Sequence, residues 1–433
     1  MPVVRRSLVW LGLGLTLGPI GLAAQQVAGG GAVELADLVV IDTVTDELVP
    51  DVSAPLGALA LPRAWFGASP WRRWDRATGD WAGTRSLLEG HGISVEGSWV
   101  YDVSSNVRGG VARGTRGRGL FTAAATVDMG TFAGLPGGTF AISYMTMGGQ
   151  VGGELTGDAQ SFSNIDIAPT SRRYDLWYEQ RLLGDRLRAK VGYVDANSEF
   201  AVVNVAGEFI NSSAGFSPTV YGMPTYPDPA LSANLFVSPA SWLTLGGAVY
   251  RGTLPASRAA DATPDAPFGI VELVASPGAL GRAGVGVWHH DGYAPRLDGG
   301  LQQGPTGWYA FLERLLSGTE ADDSTAASGL SGFVRYGWAD ARVNDFAHHY
   351  MAGLVLDAPL GWTGNALGAA VSHVDLSSRA GYAHGETAIE GFVRVQVLGF
   401  MTLRPDVQYI VHPSGAAGVG SALVSTLRVE TAF

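Results

Sequence analysis

The side chains with the greatest capacity for chemistry are two histidine pairs, His289-His290 and His348-His349. Each pair lies in a segment of alternating residues. Neighbours on a strand point to opposite faces, so neither pair can hold one metal ion between them. The sequence has no Gly-x-Ser-x-Gly or His-Glu-x-x-His motif and no cysteine. Asp322-Asp323 lies in a Ser/Thr/Ala-rich stretch that is typical of a loop. We therefore expect no enzyme, no metal and no cofactor.

The first 24 residues have the three-part pattern of a secretory signal peptide. Arg5 and Arg6 give a positive start, residues 8–22 are apolar and uncharged, and Ala23-Ala24 is a small-residue exit. The alternative is a membrane anchor, but this needs about 20 apolar residues and a stop-transfer flank. We predict an exported chain that is cleaved near Ala24.

The composition is unusual for a soluble protein of this size. Hydrophobic residues make up 46% of the chain but charged residues only 15%, where about a quarter is usual. No later apolar run is long enough for a membrane helix. One apolar outer face and one polar inner face would explain this balance, with tryptophans forming aromatic girdles. The net charge of -11 argues against a nucleic-acid partner.

Apolar and polar residues alternate over about ten positions in several segments, which is the length of a tilted membrane-spanning strand. In residues 93–103, Trp99 and Tyr101 lie on one face while Ser98 and Asp102 lie on the other. Residues 121–129, 186–193 and 392–397 repeat the pattern. A soluble sandwich alternates too. The charged inner faces and the aromatic-rich outer faces favour a barrel.

The last segment of the sequence supports the same interpretation. Leu423, Ser425, Leu427, Val429, Thr431 and Phe433 share one face, and Arg428 and Glu430 lie on the other. A final strand with this pattern resembles the signal that outer-membrane barrels present to the barrel assembly machinery. Residues 93–433 provide about sixteen strands at roughly 21 residues per strand and connection. The predicted fold is therefore all-β: a transmembrane, antiparallel outer-membrane β-barrel with an aqueous lumen, surrounded by outer-membrane lipids.

Two segments precede the strands. Residues 25–73 are acidic and have no basic residue before Arg63. We interpret them as a periplasmic segment or linker, although they could pack near the pore mouth. Residues 74–433 form the predicted barrel domain. This domain includes a short N-terminal helix near residues 80–90, with Thr78 or Asp80 as its N-cap and Gly90 and Gly92 as its end.

Several motifs resemble the carbohydrate-selective porin family called OprB. GDWAGTR at residues 79–85, followed by LLEGHGI and SVEGSW, is similar to the N-terminal signature of the family. Further similar blocks follow in the family's order: YDLWYEQRLLGDRLRAKVGYVDANSEFA (174–201), NSSAGFSP (211–218), YPDPAL (226–231), RYGWAD (335–340), GETAIEGFVRVQV (385–397) and RPDVQYIVHPSG (404–415). Tyr193 stands where the family often has a lysine, and the acidic segment has no counterpart that we can place.

The resemblance implies a sixteen-stranded barrel in the bacterial outer membrane that passes small sugars by facilitated diffusion, with a homotrimer as one compatible assembly. A sugar pore needs weakly binding donors and acceptors along a narrow lumen, and aromatic faces for the sugar ring. Trp177 could be such a surface or a girdle residue. The candidate substrate-binding residues on inward faces are Asp175, Glu179, Arg181, Arg188, Lys190, Arg335, Arg394, Gln396, Arg404 and Asp406, together with Arg85 if the helix closes the periplasmic end.

Three alternatives remain open from the sequence alone. One is a general or differently selective diffusion porin, which differs from a sugar porin in whether charged side chains converge at a constriction. Another is a secreted lectin-like β-protein. The third is an outer-membrane phospholipase or protease barrel.

Overall fold

A computed structural model of the chain describes residue 71 and residues 74–252, 266–319 and 328–433. The predicted signal peptide (1–24) and nearly all of the predicted acidic segment (25–73) lie outside these described residues. Within the same ranges, no helix is long and apolar enough to cross a membrane.

In the described residues, sixteen strands form one closed antiparallel barrel, and two short strands form a separate hairpin between the ninth and tenth barrel strands. The barrel strands are β1 Ile93–Gly110, β2 Gly114–Asp128, β3 Gly138–Gly149, β4 Thr170–Leu182, β5 Leu187–Val194, β6 Ala230–Ala240, β7 Leu243–Tyr250, β8 Phe268–Ala275, β9 Arg282–His290, β12 Thr306–Thr319, β13 Ser328–Ala339, β14 Phe346–Asp357, β15 Ala366–Leu376, β16 Glu386–Leu398, β17 Met401–Val411 and β18 Gly420–Ala432. The hairpin consists of β10 Tyr293–Pro295 and β11 Leu301–Gln303. The predicted fold class and strand number are confirmed.

The barrel closes where the first strand pairs with the last. Ser98 is opposite Ala432, and Asp102 is opposite Arg428. Because β1 begins and β18 ends at the same end of the barrel, we call this end the terminal rim and the other end the opposite rim. Closure leaves no unpaired strand edge, as a hydrocarbon surrounding requires.

The two faces of the strands differ as the alternation predicts. Val191, Leu235 and Val334 point outward and are each about half exposed, at 50–52%. Leaving such side chains in water would cost about 1.5–3 kcal/mol each, so an apolar belt around the whole barrel indicates a lipid surrounding. On the outer face near the opposite rim, the rings of Trp308 and Tyr336 lie 5.0 Å apart, as expected for an aromatic girdle.

The N-terminal helix, α1, spans Thr84–Gly90, and a 3-10 turn at Trp81–Gly83 precedes it. Ala82 has a left-handed φ of 58°, which breaks the helical path, so the helix begins four residues later than predicted and Gly83 is its N-cap. Asp80 instead accepts hydrogen bonds from the backbone N–H and the hydroxyl of Ser86, at 2.9 and 2.8 Å. Within the described residues, the other α-helices are α2 Met129–Ala133, α3 Gly153–Thr156 and α4 Ser212–Gly215.

Two connections at the opposite rim fold back into the lumen. Loop A (residues 150–169) joins β3 to β4, and loop B (residues 195–229) joins β5 to β6. Most of their residues are buried, and their contacts are with the inward faces of the strands. These two loops, rather than the wall alone, therefore determine the shape of the lumen.

Candidate functional site

Loop B follows the inner wall, and three strand glutamates hold its backbone along the way. Glu272 on β8 accepts a hydrogen bond from the N–H of Ala201 at 2.8 Å. Glu313 on β12 accepts from the N–H of Val205 at 2.9 Å, and Glu390 on β16 accepts from the N–H of Ile210 at 2.6 Å. Residues 201–210 therefore run along the inner wall from β8 past β12 to β16.

Aromatic side chains on the wall pack against the other side of loop B. Phe209 of the loop lies between Phe333 and Phe392, with ring centroids 5.9 and 5.1 Å away. Phe200 stacks on Phe236 at 5.4 Å. The composition had led us to expect a polar inner face. Part of that face is apolar instead, because the in-folded loop needs apolar surface to pack on.

A first charged cluster lies where loop B leaves β5; we call it the β5 cluster (Glu179, Arg181, Arg188, Lys190 and Glu199). Glu179 accepts from Arg181 at 3.1 Å and from Arg188 at 2.9 Å, and it lies 3.2 Å from Lys190. Arg188 also contacts Glu199 at 2.8 Å, and Lys190 donates to Glu199 as well. The sequence placed the first four residues on inward faces. The structure brings the three basic residues together around Glu179, and Arg188 and Lys190 also contact Glu199 of loop B.

Glu199 stays ionised in this cluster. Burial alone would raise its pKa, but the charges of Lys190 and Arg188 and their hydrogen bonds outweigh burial and lower the pKa to about 2. Trp177 faces the lumen, because the ammonium of Lys190 lies 3.9 Å from the centre of its ring. The indole is therefore a wall surface beside the charged cluster and not a girdle residue.

A second charged cluster surrounds the end of a 3-10 turn in loop B, Val205–Glu208. We call it the Glu208 cluster (Glu208, Asp357, Arg394, Arg404 and Glu430). The carboxylate of Glu208 lies 3.4 Å from both Arg394 and Arg404. Arg394 also contacts Asp357 at 3.3 Å, and Arg404 contacts Glu430 at 3.4 Å. The side chain of Glu208 remains 23% exposed, so this carboxylate is accessible from the lumen.

Two other predicted residues, Arg335 and Asp175, hold loop B, and a third, Asp406, is buried on β17. The guanidinium of Arg335 donates to the carbonyls of Ser213 and Ala214, at 2.9 Å each, and to those of Ala201 and Gly215 at 3.2 Å. Asp175 accepts from the N–H of Asp195 at 3.2 Å. Asp406 is buried and accepts from Gln408 at 3.2 Å. Arg335 and Asp175 therefore bind loop backbone, whereas Asp406 bonds to the strand residue Gln408 and its Oδ2 is buried without a hydrogen-bond partner among the described residues.

Two predicted residues lie at the terminal rim. The amide of Gln396 donates to the carbonyls of Leu398 and Gly399, at 2.5 and 3.1 Å, and supports the turn between β16 and β17. Arg85 is buried and donates to the carbonyls of Val95 and Phe433, at 3.1 and 3.4 Å. It therefore joins α1 to the seam between the first and last strands.

The sequence analysis did not single out Glu199 and Glu208, nor the glutamates Glu272, Glu313 and Glu390. Glu199 stands within the DANSEFA block, and Glu208 follows an apolar stretch. Glu272 is the single acid in the apolar segment of β8, and this pattern could have marked it as inward-facing, whereas Glu313 and Glu390 share their strands with other charged residues. No group of three or more potential metal ligands occurs in the part of the chain that the structure describes.

Comparisons with known proteins agree with this architecture. The family model described as "Carbohydrate-selective porin, OprB family" matches residues 112–433, so the GDWAGTR motif precedes the matched region. The high-pH structure of Pseudomonas putida OprB is similar, with a TM-score of 0.74 and 18% identity over 83% of this chain and 99% of that chain. The low-pH structure of the same protein gives a TM-score of 0.57 and 17% identity over the same shares. No curated protein sequence matches.

The family match covers well over half of the chain, and the structural likeness, at this identity, shows the fold. The channel architecture also argues for a pore rather than an enzyme. The chain therefore belongs to the carbohydrate-selective porin family, OprB, and is a porin of the bacterial outer membrane.

Proposed function

We propose that the protein lets monosaccharides such as glucose diffuse through the outer membrane into the periplasm, with weak binding at the constriction that loop B forms. The terminal rim then faces the periplasm, and sugars enter from the opposite rim. The process needs no cofactor and no energy coupling.

One observation carries this proposal: acidic and basic side chains converge on loop B from the surrounding wall. Glu208 lies 3.4 Å from Arg394 and Arg404, and Glu199 lies 2.8 Å from Arg188. Carboxylates accept from sugar hydroxyls, and guanidinium groups donate to them in a fixed planar arrangement. Their convergence on one loop brings donors and acceptors within reach of the hydroxyls of a single sugar.

Nearby aromatic surface suits the apolar side of a sugar ring. The ring of Trp177 lies beside Lys190, and the guanidinium of Arg188 lies 3.8 Å from the centre of the Phe236 ring. Each contact exchanges for water at low cost, so binding can be weak enough for release, as transport requires.

Liposome swelling tests the proposal. Proteoliposomes should swell faster in glucose than in a neutral non-sugar solute of the same hydrodynamic size. The rate should saturate with glucose concentration. Equal rates ordered by solute size alone would favour a general diffusion porin. A homotrimer and recognition of the C-terminal strand by the barrel assembly machinery remain parts of this proposal, and crosslinking in native membranes would test the first.

A further inference from the structure

Two wall glutamates bracket the exposed carboxylate of loop B. Glu313 accepts from the N–H of Val205 and from the side-chain amide of Asn204, both at 2.9 Å. Glu390 accepts from the N–H groups of Ile210 and Asn211, at 2.6 and 3.2 Å. Glu208 lies between these two attachments, at the end of the turn.

Both glutamates are buried, with 5% and 3% of the surface of Glu313 and Glu390 exposed, so neither is placed to contact a solute. An ionised carboxylate has only acceptor sites, so it satisfies two N–H donors at once. A glutamine at the same place would turn its NH₂ group toward one of those donors and lose that bond. The paired backbone donors at Glu390, and the backbone donor at Glu313, are therefore matched better by a glutamate than by a glutamine.

We propose that Glu313 and Glu390 are positioning residues that set the location of Glu208 relative to Arg394 and Arg404, and thereby determine sugar affinity and ion selectivity. This inference rests on the proposed function for its sugar readout, but the ion-selectivity readout does not. Glu313 also pairs with Arg282 at 2.8 Å, so its position is fixed from the wall side as well.

A matched control lies on the same strand as Glu390. Glu386 is buried and takes three N–H groups, but those of Ala159, Gln160 and Ser414, at 2.7, 2.9 and 2.7 Å. It attaches loop A and the β17–β18 connection, and none of its contacts belongs to loop B. Glu386→Gln therefore removes the same charge and the same kind of attachment, but it acts on loop B indirectly, through the bonds that Asn164 and Ser161 of loop A make to Ile210 and Ser212.

The experiment is a double-mutant cycle in planar bilayers with Glu208→Gln as the second substitution. Glu313→Gln and Glu390→Gln should each raise the half-blocking glucose concentration about fivefold, the equivalent of about one ordinary net hydrogen bond. Glu386→Gln should change it less than about twofold. In the Glu208→Gln background, the two positioning substitutions should add less than about twofold, because their effect acts through Glu208. Glu390→Asp, which keeps the paired acceptors, should act more weakly than Glu390→Gln.

Equal effects of Glu386→Gln and Glu390→Gln, or full multiplication of effects in the Glu208→Gln background, would overturn the proposal. If the wild-type channel shows no glucose block, the proposed function fails instead. The positioning role is then judged on the potassium-to-chloride permeability ratio in a salt gradient. Glu390→Gln should shift the permeability ratio in the same direction as Glu208→Gln does. When Glu208→Gln is already present, adding Glu390→Gln should cause no further shift. No shift in that ratio would overturn the positioning role.

Discussion

Asp102 and Arg428 face each other across the seam of the barrel and form a two-point ion pair. Nε and one terminal nitrogen of Arg428 donate to the two oxygens of Asp102, at 2.8 and 3.0 Å, and both side chains are almost completely buried. The same guanidinium donates to Asn164 of loop A at 2.6 Å. One pair of residues thus joins the first strand, the last strand and an in-folded loop.

Arg428→Ala should therefore destabilise the barrel strongly. Asp102 would keep its buried charge with only Arg118, 3.8 Å away, as a basic partner, and such a loss typically costs about 3–5 kcal/mol. Urea unfolding of the lipid-embedded protein, followed by gel mobility, measures the free energy of unfolding. The double variant Asp102→Asn/Arg428→Gln should recover most of the loss, since no buried charge is left unpaired. A single-variant cost below about 1 kcal/mol would contradict the importance of this pair.

Sugar binding should depend on the arginines that meet loop B. Arg394→Ala and Arg188→Ala should each raise the half-blocking glucose concentration about tenfold, the equivalent of roughly 1.4 kcal/mol, without changing barrel assembly. Arg314 on β12 is exposed on the outer face, so Arg314→Ala is the matched control and should leave the block unchanged. Unchanged affinity in both lumen variants would remove these residues from the binding site.

The contribution of Glu199 should depend on pH in a defined direction. Its pKa in the folded protein, about 2, lies below its ordinary value of 4.5. Glu199 therefore stabilises the fold above pH 4.5, and that contribution is lost as the pH falls toward 2. The difference in thermal midpoint between the wild type and Glu199→Gln should be constant from about pH 8 to 5 and shrink below pH 4.5. A difference that already disappears at about pH 6 would contradict the assigned ion pairs.

Phe433→Ala should impair formation of the barrel. The N–H of Phe433 donates to the carbonyl of Gly97 at 2.8 Å, and its ring lies 6.2 Å from that of Phe121, so the residue extends the seam. If the assembly machinery recognises this residue, the substitution should lower the amount of heat-modifiable barrel in cells more than it lowers the yield of refolding in detergent. Phe132 is exposed in the β2–β3 connection, and Phe132→Ala provides the control. Equal amounts of barrel in Phe433→Ala cells and wild-type cells would argue against the role.

The sequence predicted the inward and outward faces of the barrel strands better than the contacts of the loops inside the lumen. Strand alternation has a period of two and depends only on neighbouring residues, so the faces of Arg188, Lys190 and Arg394 followed directly from parity. What occupies each face depends on contacts distant in sequence, and parity carries no such information. Arg335 illustrates this limit, because its face was predicted but the four loop carbonyls that take up its donors were not.

Glu208 shows the same limit from the side of the loop. It stands among Val, Ala, Gly and Phe in residues 202–209, and nothing local distinguishes it from an ordinary solvated acid. Its carboxylate is placed beside two arginines by the attachment of the surrounding backbone to Glu313 and Glu390 and by the bond from Arg404 to its own carbonyl. Arg85 belongs to a motif of the family signature, yet its role at the seam follows from the position of the last strand.

The most direct test of the account is the single-channel current of the purified protein in a planar bilayer during titration with glucose. A neutral non-sugar of similar size serves as the control solute. The account predicts closure events that become more frequent with glucose and saturate, with no such events from the control. An open channel whose current responds equally to both solutes would contradict a sugar site on loop B.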